Sequence, residues 1–393
     1  MKKGWEVKKL GDVAKHSLGK MLDKSKNKGE PKPYLRNLNV RWAGFDLSDV
    51  LEMRFQPQEF ERYTVVKGDV LVCEGGYPGR AAIWEADEPI YFQKALHRVR
   101  FHEPERNRWF VYYLLFRDLE GTLKQHFNGV GIQHFTGEAL AQFEIPIPPL
   151  PEQQRIVGVL DEAFASLDIA QANTEKNRQN ARALFESHLQ SIFTQRGVGW
   201  VEKTIGETCV LRSGTSVPVA LERSAGEFPY VKVADMNYAG NEMEIVTSSR
   251  FLDSADIGKN AVIPIGATIF PKRGGSILTN KKRLTAVSIC ADLNIMAVIP
   301  GEQLLPRFLH YYFINVDMRK IGSGSSIPQI NNYDIEPRLI AFPESKAMQQ
   351  TLIHELDTIA SETQRLEGIY QRKLDALAVL KKSLLQQAFS GQL

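Results

Sequence analysis

Two short stretches carry the residue types that can hold a polyanion. Glu74-Gly75-Gly76-Tyr77-Pro78-Gly79-Arg80 sets an aromatic ring and a guanidinium among glycines, and Pro271-Lys272-Arg273-Gly274-Gly275 sets two cations beside a glycine pair. Glycine lets backbone approach a ligand closely. Arginine can bridge guanine or a phosphate with two N–H donors, and tyrosine can reach base edges. Tyr77, Arg80, Lys272 and Arg273 are therefore candidates for direct contact with nucleic acid. Residues 1–41 hold twelve Lys and Arg against four acids, with Lys24, Lys26 and Lys28 in the middle of the run from Lys20 to Lys32. Residues 271–283 add Lys281, Lys282 and Arg283 and contain no acid. Both segments are rich in glycine or proline, as loops are, so these six cations are candidates for phosphate contacts. Across the whole chain 49 Lys and Arg face 46 Asp and Glu, a net charge of +3, so any basic surface is local.

Catalytic constellations are missing. No Gly-x4-Gly-Lys-[Ser/Thr] loop is present, which excludes a P-loop nucleotide hydrolase. Gly322-Ser323-Gly324-Ser325-Ser326 precedes Ile327-Pro328-Gln329 rather than a strand-to-helix turn, and it reads as a flexible loop. There is no Asn/Asp-Pro-Pro-Tyr/Phe tetrapeptide of the kind amino-methyltransferases use to hold a flipped base. The eight histidines form no HExxH and no zinc-spaced pair with cysteine, so no metal site is expected. Asp334, Glu344 and Lys346 fit a loose nuclease pattern, but its counterpart around Glu152-Gln153-Gln154 lacks the lysine. Cys73, Cys209 and Cys290 are scattered, which argues against a disulfide framework and for a reducing compartment. The N-terminus lacks a signal-peptide apolar run, and no stretch of 18 apolar residues would span a membrane. A soluble, cytoplasmic protein is expected.

The elements that must position the two loops occur twice. Gly4-Trp5 with Leu10-Gly11-Asp12 returns as Gly199-Trp200 with Ile205-Gly206-Glu207, an offset of 195. Pro33-Tyr34-Leu35-Arg36 returns as Pro229-Tyr230-Val231-Lys232, and Trp109–Tyr113 as Phe308–Tyr312. Leu160, Asp161, Leu184, Ser187, Leu189, Gln190 and Phe193 all return at an offset of 196, as Leu356, Asp357, Leu380, Ser383, Leu385, Gln386 and Phe389. Identities at one shared offset, serines and glutamines included, indicate an internal duplication. In each half, short β-branched runs punctuated by Gly and Pro, with one helical patch, predict a mixed α+β domain. Each basic loop follows the corresponding strand, Val70–Val72 or Thr268–Phe270. The frames match while the loops differ, which suggests two sites of one kind reading different targets.

After each mixed domain comes a long segment almost free of glycine and proline. The proline run from Pro146 to Pro151 bars the first helix from starting earlier. Ile156, Leu160, Ala163, Leu167, Ala170, Thr174, Asn177, Ala181 and Leu184 alternate at spacings of four and three. So do Leu352, Leu356, Ile359, Thr363, Leu366, Tyr370, Lys373, Leu377, Leu380 and Leu384. Such heptad seams predict two helices that pack on each other as an antiparallel coiled coil, with polar residues near mid-seam fixing register. A helix over 152–194 would be about 65 Å long, roughly two turns of DNA. The expected organisation is a mixed α+β domain over 1–151, a helix over 152–198, a second domain over 199–344 and a second helix over 345–393.

These pieces together resemble the specificity (S) subunit of type I restriction-modification systems, over essentially the whole chain. The specific parts are Gly4-Trp5 with Leu10-Gly11-Asp12, Gly68-Asp69-Val70-Leu71, and the helix start Leu150-Pro151-Glu152-Gln153-Gln154. The second start, Phe342-Pro343-Glu344-Ser345-Lys346-Ala347-Met348-Gln349-Gln350, has lost the proline-rich run. The resemblance implies two target recognition domains, each reading one half of a split, asymmetric site on double-stranded DNA, with the coiled coil as a ruler. It also implies two modification subunits, whose methyltransferase activity uses S-adenosylmethionine, and two translocase-nuclease restriction subunits. It places no catalytic residue and no cofactor in this chain. A self-contained DNA-modifying enzyme and a coiled-coil scaffold without DNA binding are the alternative readings.

Overall fold

The computed structural model describes residues 4–23, 25–194, 197–258, 261–321 and 328–393. The chain divides into two compact units, Met1–Glu175 with Gln371–Leu393, and Lys176–Tyr370. Each is α+β and each repeats the topology of the other.

In the first unit, strands Ala14–Leu18, Leu96–Phe101, Val70–Cys73 and Ala81–Ile83 form one antiparallel sheet in that order. A second sheet orders Leu51–Phe55, Glu30–Leu35, Ile90–Phe92 and Thr64–Val65, with its middle pair parallel. Glu6–Lys9 pairs antiparallel with Glu144–Ile147. The second unit has the same plan. Its first sheet orders Cys209–Ser213, Ile295–Pro300, Thr268–Pro271 and Arg283–Thr285, extended by Glu244–Ile245. Its second orders Phe251–Leu252, Phe228–Val231, Ile289–Ala291 and Val262–Ile263, again with a parallel middle pair, and Trp200–Thr204 pairs with Leu339–Pro343. The turn entering each central strand needs a residue at positive φ, supplied by Gly68 (φ 92°) and Gly266 (φ 85°). In the first unit Asp69 locks that turn, accepting the Val66 N–H at 2.9 Å and pairing bidentately with Arg100 at 2.6 and 2.7 Å.

The long helices run Leu150–Thr194 and Lys346–Ser390. In the first unit, Ile156, Leu160, Phe164 and Leu167 share one core with Leu385, Ala388 and Phe389 and with the helix Arg106–Leu119. Phe389 lies 4.7 Å from Trp109 and 5.2 Å from both Tyr113 and Phe116, ring centre to ring centre. In the second unit, Leu189, Ile192 and Phe193 share a core with Ile353, Leu356 and the helix Pro306–Asn315, and Phe193 lies 5.2 Å from Phe308. Within each unit the two helix segments run in opposite directions. Arg155 bonds Leu393 and Lys381 pairs with Asp168 in the first; Arg182 pairs with Glu367 and His188 with Glu355 in the second.

The repeated helix starts do equivalent work. Buried Gln153 donates to the Pro148 carbonyl at 2.8 Å, and buried Gln349 to the Pro343 carbonyl at 2.8 Å, so the second start keeps this anchor despite losing its prolines. Asp161 and Asp357 accept the hydroxyls of Tyr112 and Tyr311. The heptad seams need correction. Asn177 and Leu184 face water while Arg178 and Phe185 turn inward, and Lys373 and Leu380 are exposed while Leu377, Lys381 and Leu385 turn inward. A straight helix repeats every 3.6 residues and drifts about 20° per heptad from a 3.5-residue pattern, so a seam read at 3.5 slips by one position over this length. Of the polar seam residues, Thr174 is buried and donates to the Ala170 carbonyl at 2.6 Å.

Candidate nucleic-acid interface

In the first unit the candidate loop joins two paired strands. Val72 pairs with Ala81, the Cys73 N–H bonds the Arg80 carbonyl at 2.8 Å, and the Gly79 N–H bonds the Cys73 carbonyl at 2.9 Å. The Asn37 amide donates to the Gly75 carbonyl at 3.0 Å. A Cβ on Gly76 would stand 2.2 Å from that amide, and its φ is 77°, so a side chain here would be strained and would displace Asn37. Arg80 is half-buried; its Nη2 donates to the Asn37 carbonyl at 2.9 Å and its guanidinium lies 5.1 Å from the Tyr77 ring centre. Tyr77 is 45% exposed and its hydroxyl donates to Asp118 at 3.0 Å. The loop thus presents a pre-oriented aromatic and guanidinium pair with little conformational entropy left to lose.

The second unit's loop occupies the same place, between Thr268–Pro271 and Arg283–Thr285, and most of its cations are turned inward. Lys272 is buried and donates to the Ser213 hydroxyl at 2.6 Å; burial, then the neighbouring Arg273, push its pKa down. Lys282 is buried, donates to Asn280 at 2.8 Å and to the Val316 carbonyl at 2.7 Å, and burial lowers its pKa to about 8. Half-buried Arg283 donates to the carbonyls of Asn241, Lys282 and Met236 at 2.6, 2.8 and 3.1 Å. These three correct the expectation of a solvated basic loop, because backbone carbonyls and a hydroxyl far off in sequence occupy their donors. Lys281 is half-buried and bonds the Asn237 side chain. Arg273 is exposed, with no ion pair among the described residues, and its backbone bridges Gln329.

The N-terminal cluster divides too. Lys20 is buried, 2.6 Å from Glu59, and donates to the Arg54 carbonyl at 2.9 Å. Lys26 is exposed, with a loose pair to Asp23 at 3.6 Å, and Lys28 is exposed. Lys24 and Gly322–Ser326 lie outside the described residues. Asp334 caps its own helix by accepting the Asn331 N–H at 2.8 Å, and Lys346 opens the second long helix, so the loose nuclease pattern maps onto helix starts. A cleft of about 620 Å³ in the second unit, lined by Arg182, Glu186, Arg307, Asp317, Arg319 and Glu367 among others, mixes both charge signs. Among the described residues, no cluster of three or more His, Cys, Asp or Glu could hold a metal ion, and no helix is long and apolar enough to cross a membrane.

Two copies of one mixed domain, each built on segments of two long helices and each presenting a different side-chain set at the same hairpin, define a duplicated recognition scaffold. The model of the type I restriction-modification DNA specificity domain matches it twice, over residues 2–177 and 197–372, and the chain belongs to that family. It is a specificity subunit, not a catalytic one. It is 20% identical over 389 residues to the StySPI specificity subunit of Salmonella potsdam, covering 92% of this chain and 82% of that one. To the MjaIX specificity subunit of Methanocaldococcus jannaschii it is 21% identical over 307 residues, 72% of this chain and 69% of that one. To the EcoBI specificity subunit of Escherichia coli it is 27% identical over 137 residues, 35% of this chain, and the match spans only 28% of that subunit's length. A chain from a solved structure concerned with complex assembly and conformational transition of the type I R-M system shares the fold at a TM-score of 0.79 and 18% identity, covering 100% of this chain and 99% of that one. The HsdS subunit from Thermoanaerobacter tengcongensis shares it at a TM-score of 0.56 and 18% identity, with 100% and 98% covered.

Proposed function

We propose that the chain reads a two-part, asymmetric site on double-stranded DNA. Each unit takes one part, and the long helices form an antiparallel coiled coil that fixes the gap. The observation that carries this reading is the shared hairpin position with unlike contents: a stacked Tyr77 and Arg80 in one unit, an outward Arg273 in the other. Equal scaffolds with unlike tips suit two different base sequences. Arg80 and Tyr77 address base edges, while Arg273, Lys26, Lys28 and Lys281 address phosphates and set register.

The chain also recruits two copies of a modification subunit, an adenine methyltransferase, and two translocase-nuclease restriction subunits. Leu184 and Leu380 support twofold recruitment, because they recur at an offset of 196 and face outward at 69% and 47% exposure. Packing inside the fold does not require those leucines, so their recurrence suits two equivalent docking faces. S-adenosylmethionine belongs to the methyltransferase, and no residue of this chain is assigned to it. The site of action is the cytoplasm, where the DNA is.

Methylation mapping of host DNA, with and without the gene for this chain, tests the reading. The expected result is a gene-dependent modified motif of two unlike parts separated by a fixed number of unspecified bases. A continuous motif, or a palindrome of identical halves, refutes it.

A further inference from the structure

The hairpin Asn128–His134 stands beside the Tyr77–Arg80 loop. Asn128 and His134 exchange backbone hydrogen bonds of 2.8 Å each, closing the tip Gly129-Val130-Gly131-Ile132-Gln133. At its base the Phe135 N–H bonds the Glu74 carbonyl at 2.7 Å, and His97 holds the Phe135 carbonyl at 3.0 Å. A Cβ on Gly75 would stand 3.2 Å from the His134 imidazole, and one on Gly79 would stand 3.5 Å from the Phe127 ring. The two loops therefore form one surface.

The tip of this hairpin is apolar and bare. Val130 is fully exposed (106%) and Ile132 is 76% exposed, on a turn held by Gly129 and Gly131 at φ 112° and 90°. Leaving such side chains in water forgoes their burial, so a partner that covers them gains affinity. Two aliphatic groups, on a glycine-bearing tip whose base packs against the Tyr77–Arg80 loop, are too small a patch for a protein interface. They match a base edge, where the apolar feature of the major groove is the thymine 5-methyl group. That groove is about 12 Å wide and admits a two-stranded ribbon. Exposed Gln133, next in the chain, can bond the N6 and N7 of the paired adenine.

We infer that Val130 and Ile132 read thymine in the half-site of the first unit, through its 5-methyl group. The inference rests on the DNA-reading function proposed above and adds the base and the atoms. It is tested with the assembled complex of this chain and its modification subunits. The probe is a duplex carrying the motif found by methylation mapping, with uracil replacing each thymine in turn. Wild type should lose about fourfold in affinity at one or two positions, the worth of one buried methyl. A Val130→Ser/Ile132→Ser variant should bind the thymine duplex about as weakly as wild type binds the uracil one, and should ignore the replacement. Both residues are exposed, so the variant keeps its fold. A wild type indifferent to uracil at every position, while still preferring its motif, overturns the inference and leaves the DNA-reading function standing. A variant still sensitive at the same thymine also overturns it. A complex that binds all sequences alike overturns both.

Discussion

Phe389→Ala tests whether the last turns of the chain belong to the core of the N-terminal unit. Phe389 is 7% exposed and touches three aromatic rings, those of Trp109, Tyr113 and Phe116. Burial of a phenylalanine side chain contributes about 1.5–3 kcal/mol, and aromatic pairs add about 0.5–1.5 kcal/mol each. The cavity left behind brings the expected loss to about 3–5 kcal/mol. Urea unfolding followed by tryptophan fluorescence is a direct assay, because Trp5, Trp42, Trp84 and Trp109 lie in the first unit and only Trp200 in the second. With a slope of about 2 kcal/mol per molar urea, the midpoint of the main fluorescence transition should fall by about 1.5–2.5 M. Phe389→Leu should fall by less than half of that. A Phe389→Ala midpoint within about 0.3 M of wild type would refute the packing of the second long helix's last turns in the core of the first unit.

The cations should separate by role. Arg273→Ala should weaken binding to all duplexes alike and lower the salt slope by about one, with unchanged unfolding, as measured by titrations at several salt concentrations. Lys282→Ala should instead leave the salt slope unchanged, in the same titrations, because its ammonium is buried and bonded to Asn280 and the Val316 carbonyl. Arg80→Ala should cost about 1–3 kcal/mol at one base pair of the motif, read by competition with single-base variants of the duplex. His97 should make the first unit acid-sensitive. Burial lowers its pKa from 6.5 to about 4, so the unfolded chain takes up its proton first; the stability is complete above pH 6.5 and is lost as pH falls towards 4. At pH 5 the loss due to His97 is about 2 kcal/mol, and His97→Gln should shrink the difference between urea midpoints at pH 7 and pH 5 by about 1 M, at a slope of about 2 kcal/mol per molar urea.

The duplication, the domain texture and the helix starts were legible in the sequence because they depend on local signals. Proline is confined to the first turn of a helix, as Pro151 is here, and repeated identities need no geometry to be seen. The fate of the cations was not legible. Lys20 is paired with Glu59, 39 positions away, and Lys282 donates to the Val316 carbonyl, 34 positions away, and no local pattern announces either. A 3.5-residue repeat puts Leu184 and Leu380 on the inward seam, whereas the straight helices turn them to water. Val130 and Ile132 are not legible in the sequence for a related reason. An aliphatic residue in a glycine-rich loop carries no signal until its exposure and its neighbours are known.

The first unit recruits its final aromatic side chain from Phe389, whereas the second is complete within one continuous stretch ending at Tyr370. On the ribosome, then, the half made first is finished last. At about 5–20 residues per second, Trp109 and Tyr113 wait roughly 15–60 s for the ring that covers them. Over that interval the nascent chain carries a sticky aromatic face, and a chaperone, or a neighbouring nascent copy offering its own helix, competes for it.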